Sequence, residues 1–461
     1  MLASYLAPAI GLGGPVLAGT SLLGDRPAQY ALVIAQTASL VWLARLGWSR
    51  TRSWATAAVF VAAAWVPTFL VASWIYAIDP SLLDVAAPTA SLALVDLSLL
   101  ALIAGFLLWP RRASSAGAAH VEVAPAQPDR RTMVAWSITG LAGLAVVFQA
   151  AGGPLNYLRN INHEGSLTQG KTYFVVLALA FLYVAQLVVY LRWSRGLRMN
   201  AAAAAGLLAA MVLVGVLGTR LVLAVALAQM ILFHSLTRPR LRLRVLALPV
   251  LAAALVITLV VGAVKRYSSY QSSHPHTTLV HYLTAVAPGQ IPVAFANNYA
   301  DGVRLMALSV VTVPRHADYE YGKEALRLLI QPLPHSLRPV IEPAPGLKAA
   351  LYPGGGYVYA QPVQVVSYLQ FGLPGVVLAF VLLGVLVAEF DFRLAVLRRI
   401  RPSTLVLITA VIVEVLATLR GASSPSDAFA VSTLLVMYAV SRTSERLLPE
   451  RSVTDGLAGS A

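Results

Sequence analysis

The sequence predicts an all-α, polytopic integral membrane protein of about 12 transmembrane helices with a large extracytoplasmic loop. Three observations lead there. Hydrophobic residues make up 58% of the 461 positions and charged ones only 11%. Apolar stretches long enough to cross a bilayer recur along nearly the whole chain. Basic residues cluster in alternate gaps between those stretches, as the positive-inside rule requires.

The predicted spans fall roughly at 5–22, 28–45, 54–75, 91–109, 132–151, 172–191, 201–217, 220–236, 245–264, 372–390, 403–419 and 428–441. Gly11 to Pro15 interrupts the first. No Arg or Lys precedes it, so it reads as a retained span rather than a cleaved signal. The run 200–235 is 36 residues long, about 54 Å as one helix, and so must break; Gly218-Thr219 is the natural hinge. The break puts Arg220 at the outer membrane surface. One side of the membrane collects Arg45, Arg50, Arg52, Arg111, Arg112, Arg130, Arg131, Arg192, Arg195 and Arg198. Arg238 to Arg244 and Arg393 to Arg401 join them, which places both termini in the cytoplasm.

The chain then divides into a four-span portion (1–109), a cytoplasmic linker (110–131), a five-span portion (132–264), the outer loop (265–371), a three-span portion (372–441) and a cytoplasmic tail (442–461). The linker is rich in Ala, Pro and Ser and carries no hydrophobic pattern. The formal net charge of +15 is explained by cytoplasmic loops held at the anionic inner leaflet, with no nucleic acid needed as a partner. The chain has no cysteine, which excludes disulfides and thiolate metal ligands.

Residues 265–371 carry eight Arg or Lys, five His and many Tyr. Within them, 279–299 is apolar but cut by Pro288, Gly289 and Pro292, which suits a re-entrant or interface-lying element. Residues 322–330 suit a short amphipathic helix ending before Pro332. From 331 to 362 seven prolines and the run Gly354-Gly355-Gly356 predict loop held by turns.

Arg220 and Arg420 stand at helix junctions in apolar surroundings, where an unpaired guanidinium is costly. A planar fork holding phosphate oxygens is one reading of each. A structural salt bridge or carbonyl contact is the other, with Asp427 or Glu414 as partner for Arg420. Among the acids, Glu320, Glu324 and Asp301 are best placed by sequence to take a proton from a hydroxyl, with His335 beside them. Ordinary ion pairing competes with that role. His274 and His276 make a weak metal pair, and no metal site is predicted.

Four stretches resemble the Wzy-type bacterial polysaccharide polymerases, which join oligosaccharide repeat units such as those of O-antigen. They are Gly218-Thr219-Arg220, then Tyr319-Glu320-Tyr321-Gly322 leading to Leu329-Ile330-Gln331-Pro332-Leu333-Pro334. The third is Ala360-Gln361-Pro362 before Tyr368-Leu369-Gln370-Phe371-Gly372-Leu373-Pro374-Gly375, and the last is Leu419-Arg420-Gly421. The likeness spans about 168–441. The stretch 355–362 departs from the family's small-residue run.

The resemblance implies a GT-C-like membrane glycosyltransferase acting on the outer face of the bacterial inner membrane. Its substrate would be a polyprenyl-diphosphate-linked oligosaccharide, with polyprenyl diphosphate as leaving group. It implies no metal and no cofactor, with flippase and chain-length regulator proteins as further partners beside membrane lipid. In that reading Arg220, Arg420, Arg266, Arg304, Arg315 and Arg338 bind diphosphate, stabilising its charge most in the transition state. Tyr319, Tyr321, Tyr357, Tyr359 and Tyr368 stack on sugars, although an interfacial aromatic belt explains several without a ligand. An O-antigen-ligase-like glycan transferase shares the loop and donor. A lipid-linked oligosaccharide flippase or transporter would carry more polar residues along its spans.

The predicted topology is checked by single cysteines and an impermeant thiol reagent. Positions near Gly165, Gly302 and Gly355 are expected to label in intact cells. Those near Ala118 and Thr237 are expected to label only after permeabilisation.

Overall fold

A computed structural model of the chain describes residues 25–51, 56–78, 88–109, 122–124, 126–154, 156, 172–195, 197, 199–216, 220–237, 267, 270, 274, 276–286, 302–330, 339–341, 361–396, 399–417, 419 and 424–447. Helix α1 is Asp25–Thr51. Helix α2, Ala57–Trp65, is opened by Thr56, whose hydroxyl accepts from the Val59 N–H at 3.1 Å. It passes through a π-helical turn, Val66–Leu70, into α3, Val71–Ile78. Pro67 begins that turn, where its missing N–H spares the α-helical ladder a bond. Helix α4, Pro88–Leu108, starts on a proline for the same reason.

Two short strands follow, β1 (Glu122–Val123) and β2 (Ala126–Pro128). Then come α5 (Arg130–Ala150), α6 (Thr172–Ser194), α7 (Ala201–Val216) and α8 (Arg220–Thr237). The predicted hinge, Gly218-Thr219, lies outside the described residues, between α7 and α8. A helical turn, Leu279–His281, continues as a π-helical turn, Tyr282–Val286, within the stretch read as re-entrant or interfacial. Helices α9 (Gly302–Thr312), α10 (Lys323–Ile330) and α11 (Val363–Val396) precede β3 (Arg399–Ile400). Helix α12 (Pro402–Ala417), α13 (Ser424–Ser444) and β4 (Glu445–Leu447) complete the described chain.

Among the described residues six helical stretches are long and apolar enough to cross a membrane: 26–50, 57–78, 89–108, 130–150, 174–194 and 363–394. The protein is therefore an all-α, multi-span membrane protein. The predicted spans 5–22 and 245–264 lie outside the described residues.

The chain forms two compact units. The first comprises 1–119, 269–396 and 412–431. Here α4 and α11 pack backbone to backbone: a Cβ on Gly105 would strike the Val381 carbonyl, and one on Gly384 the Leu102 carbonyl. Small residues permit such approach, and dispersion between close backbones drives helix association where lipid removes the hydrophobic incentive. Gln364 donates to Ser98 Oγ at 3.4 Å across the same pair. Asp391 of α11 accepts from the Ala57 N–H and so caps α2.

Helix α11 is bent rather than straight. Phe371 and Gly372 leave helical geometry, with Gly372 at φ 66°, ψ −151°, a region open to glycine alone. A Cβ on Gly375 would meet the Ser367 carbonyl, eight residues earlier; in a straight helix those levels lie about 12 Å apart. Pro374 sits in the first turn of the second piece. The sequence predicts the span to start at 372, which is the bend; the helical turns 363–370 before it extend into what reads as loop.

The second unit comprises 120–268, 397–411 and 432–461. Helices α5 and α6 meet through Gly140 and Gly143, where a Cβ would stand 2.7 Å from the Phe181 nitrogen and 2.8 Å from the Phe174 carbonyl oxygen. Buried amides bridge the other helices: Gln186 donates to the Ala226 carbonyl at 3.1 Å, and Gln229 to the Val406 carbonyl at 3.1 Å. The stretch that reads as featureless linker pairs here with two distant segments. Strand β1 lies parallel to β3, Glu122 opposite Arg399, and β2 antiparallel to β4, Gln127 opposite Arg446. These strands are two or three residues long and rest on backbone bonds, so no side-chain alternation betrays them. Glu445 accepts from the Ser403 N–H at 2.8 Å and hydroxyl at 2.6 Å, capping α12. The Thr132 hydroxyl and Arg446 together hold the Asp129 carboxyl below its ordinary range.

Gly384→Val is expected to destabilise the protein by about 3 kcal/mol or more, since overpacking falls on backbone. Gly206→Ala, where a Cβ meets nothing within 4 Å, is expected to be neutral or stabilising. Thermal unfolding midpoints in detergent, compared side by side, check both.

Candidate functional site

In the first unit the sequence stretches 319–327 and 368–372 fold onto each other. The Glu320 N–H donates to the Leu369 carbonyl at 2.8 Å, and the Tyr321 N–H to the Gln370 carbonyl at 3.1 Å. Two residues then take left-handed backbone, Tyr321 at φ 47° and Gly322 at φ 87°, before α10 begins at Lys323. Glu324 stands in the first turn of α10 and Arg327 in its last, each at the end where the helix dipole favours its charge.

Arg327 is the hub. Its Nη1 and Nη2 donate to the two Glu320 oxygens at 3.1 and 3.0 Å, a two-pronged pair. Nη1 also reaches Glu324 Oε2 at 2.7 Å, and Nε donates to the Ile341 carbonyl at 3.2 Å. Gln370 Nε2 adds a third donor to Glu320 at 2.9 Å. Glu320 is only 4% exposed. Burial pulls the Arg327 pKa down, but the hydrogen bonds and negative charge of Glu320 and Glu324 outweigh it and hold the guanidinium above its ordinary range. The cluster thus clasps residues 319–327 to α11 at its bend.

Around the clasp lie aromatic rings. Tyr319 meets Tyr321 edge-on at 5.9 Å between centroids and Tyr368 at 6.3 Å. The Tyr319 hydroxyl lies 2.9 Å from where a Cβ on Gly372 would stand, so the glycine makes room for that ring. The Tyr368 hydroxyl donates to the Val313 carbonyl at 3.1 Å. Tyr321 is 69% exposed and Phe371 53% exposed, the former in a strained conformation that bulky residues rarely adopt. Rings held rigidly with open faces suit stacking on a flat, partly apolar ligand.

Of the residues singled out by sequence, Glu320, Glu324, Tyr319, Tyr321 and Tyr368 come together here. Arg304, partly buried on α9, and Arg315, exposed just after it, belong to the same unit. Arg220 is the first residue of α8, in the second unit. Asp301, His335, Arg266, Arg338, Arg420, Tyr357 and Tyr359 lie outside the described residues. Among the described residues no group of three or more His, Asp or Glu is placed to hold a metal ion. Sequence reading missed the role of Arg327, although Glu320, Glu324 and Arg327 are spaced three to four apart as one helical face requires. Gln370 carries no signal of its own; only the fold brings it to Glu320.

A scan against protein-family models finds no match, and neither does a search of curated proteins or of solved structures.

Arg327→Ala is expected to cost about 3 kcal/mol, because it strands a buried carboxylate. Arg327→Lys keeps the charge without the fork and is expected to recover part of that loss. A double-mutant cycle with Glu320→Gln, read by thermal unfolding, is expected to show strong coupling between the two positions.

Proposed function

We propose that the chain is a membrane glycosyltransferase that polymerises polyprenyl-diphosphate-linked oligosaccharide repeat units on the outer face of the bacterial cytoplasmic membrane, as Wzy-type polymerases do. One observation carries the reading. Two of the four stretches on which the resemblance rests, 319–322 and 368–375, are joined by backbone hydrogen bonds into one aromatic, ion-paired element. Pieces far apart in sequence that share one site are expected where a substrate is held between them.

In this reading the acceptor hydroxyl attacks the anomeric carbon as the bond to the diphosphate breaks. The hydroxyl proton passes to a base, and polyprenyl diphosphate departs with the electron pair. Tyr319, Tyr321 and Phe371 stack on sugar rings. Glu320, held by three donors, positions these rings rather than taking the proton, which leaves Glu324, Asp301 and His335 as candidate bases. Guanidinium groups stabilise the leaving charge, with Arg220, Arg304 and Arg315 as candidates. Loss of a fork-like contact to developing charge would slow turnover by roughly a hundredfold or more.

Purified protein in liposomes, given only lipid-diphosphate-linked repeats, is expected to give a ladder of longer products with EDTA present. No ladder with authentic donor overturns the reading; transfer to a non-repeat acceptor points to a ligase, and transport without new glycosidic bonds to a flippase. Arg220→Ala is expected to abolish most of the turnover per folded molecule, and Arg220→Lys to rescue it only in part.

A further inference from the structure

Helices α1 and α4 pack side by side with an offset close to sixty positions. Gln29 donates to Thr89 Oγ1 at 3.4 Å near their starts. Leu32 and Val33 share a core cluster with Leu92, and Tyr76 and Ala77 of α3 close over it. Near the far ends, Arg50 reaches the Trp109 carbonyl at 3.5 Å and lies 4.1 Å over the Phe106 ring.

The same register sets Gln36 level with Asp96. Gln36 follows Gln29 by seven residues and Asp96 follows Thr89 by seven, so each shares a helix face with its hydrogen-bonded predecessor, about 10 Å further into the membrane. Both carry polar atoms left over. Gln36, 2% exposed, has an Nε2 donor with no hydrogen-bond partner among the described residues, and Asp96 Oδ2 is a buried acceptor with none. One turn deeper along α3 than Tyr76 stand Ala72 and Ser73, both small and fully buried, so no bulky side chain of α3 occupies this level.

Charge balance decides what belongs there. Titratable or charged groups on the packed elements are Asp25, Arg26, Tyr30, Arg45 and Arg50 of α1, Tyr76 of α3, and Tyr368, Glu389, Asp391 and Arg393 of α11. On α1 the cation nearest in sequence to Gln36 is Arg45, nine residues and about 13 Å along the helix. An ionised carboxylate at this depth needs a compensating charge close by. We propose that Asp96 and Gln36 form an intramembrane site for a small monovalent cation, a proton or a sodium ion, with Asp96 supplying the charge and the Gln36 amide holding the carboxyl or its water.

The site is tested on full-length protein in detergent by thermal unfolding, with sodium titrated against choline at alkaline pH and pH lowered in choline alone. The folded protein takes up the cation, so a rise of about 4 °C is expected in at least one arm. A response to sodium identifies the metal ion; a response to acid alone identifies the proton. Asp96→Asn is expected to lose that response, and Gln36→Leu to shift its midpoint to higher cation concentration. Wild-type protein indifferent to both, or a response kept in full by Asp96→Asn, overturns the proposal. Should Asp96→Asn fail to fold, Gln36→Leu decides alone: an unmoved midpoint overturns it.

Discussion

The close approach of α4 and α11 at Gly105 and Gly384 is the contact on which the first unit rests. In water such a seam would be held by burying apolar surface. In a bilayer, lipid tails offer the same apolar contact to a lone helix, so association depends on fit and on polar bonds. Two glycines set against carbonyls supply the fit, and Gln364 to Ser98 supplies a bond. From this seam α11 is fixed in place, and with it Asp391, which caps α2, and the bend at Gly372. The clasp around Arg327 closes on that bend. The rings of Tyr319 and Tyr321 are thereby held against a transmembrane helix.

Polar bonding within the helical bundle is carried mostly by neutral amides. Gln29, Gln186, Gln229 and Gln364 each donate across helices. An amide satisfies a carbonyl or hydroxyl without importing charge into lipid, where a carboxylate or guanidinium costs several times more. This division places the ionised groups at the clasp and at the helix ends and leaves Asp96 as an exception that asks for a counter-charge.

Much of the fold was legible from hydropathy and charge alone, because span length and loop charge are imposed by the bilayer itself. Helices α1 to α8 and α11 to α13 sit near their predicted spans, and α10 begins one residue into the amphipathic stretch 322–330. Three things were not legible. The helical turns 363–370 read as loop because the Gly372 bend follows them, and a glycine next to Phe371 looks like an end rather than a fold-back. The strands β1 to β4 rest on backbone bonds, which leave no pattern in side chains. The clasp at Glu320 was hidden as well: its partners, Arg327 and Gln370, are visible only once two distant stretches are superposed. Asp96 was visible as an acid within a span, but its match to Gln36 needed the register between two helices.

The pairing of β2 with β4 has a consequence for biogenesis. The three residues that complete that ladder, Glu445–Leu447, are made some three hundred residues after β2, and Glu445 is also the cap for α12. Helices α5 to α8 will therefore have entered the membrane long before the strand that ties off their unit leaves the ribosome. During that interval the 122–128 segment has open backbone donors and acceptors. Water must satisfy those groups in the meantime, so the ladder exchanges solvent bonds for protein bonds only when β4 emerges.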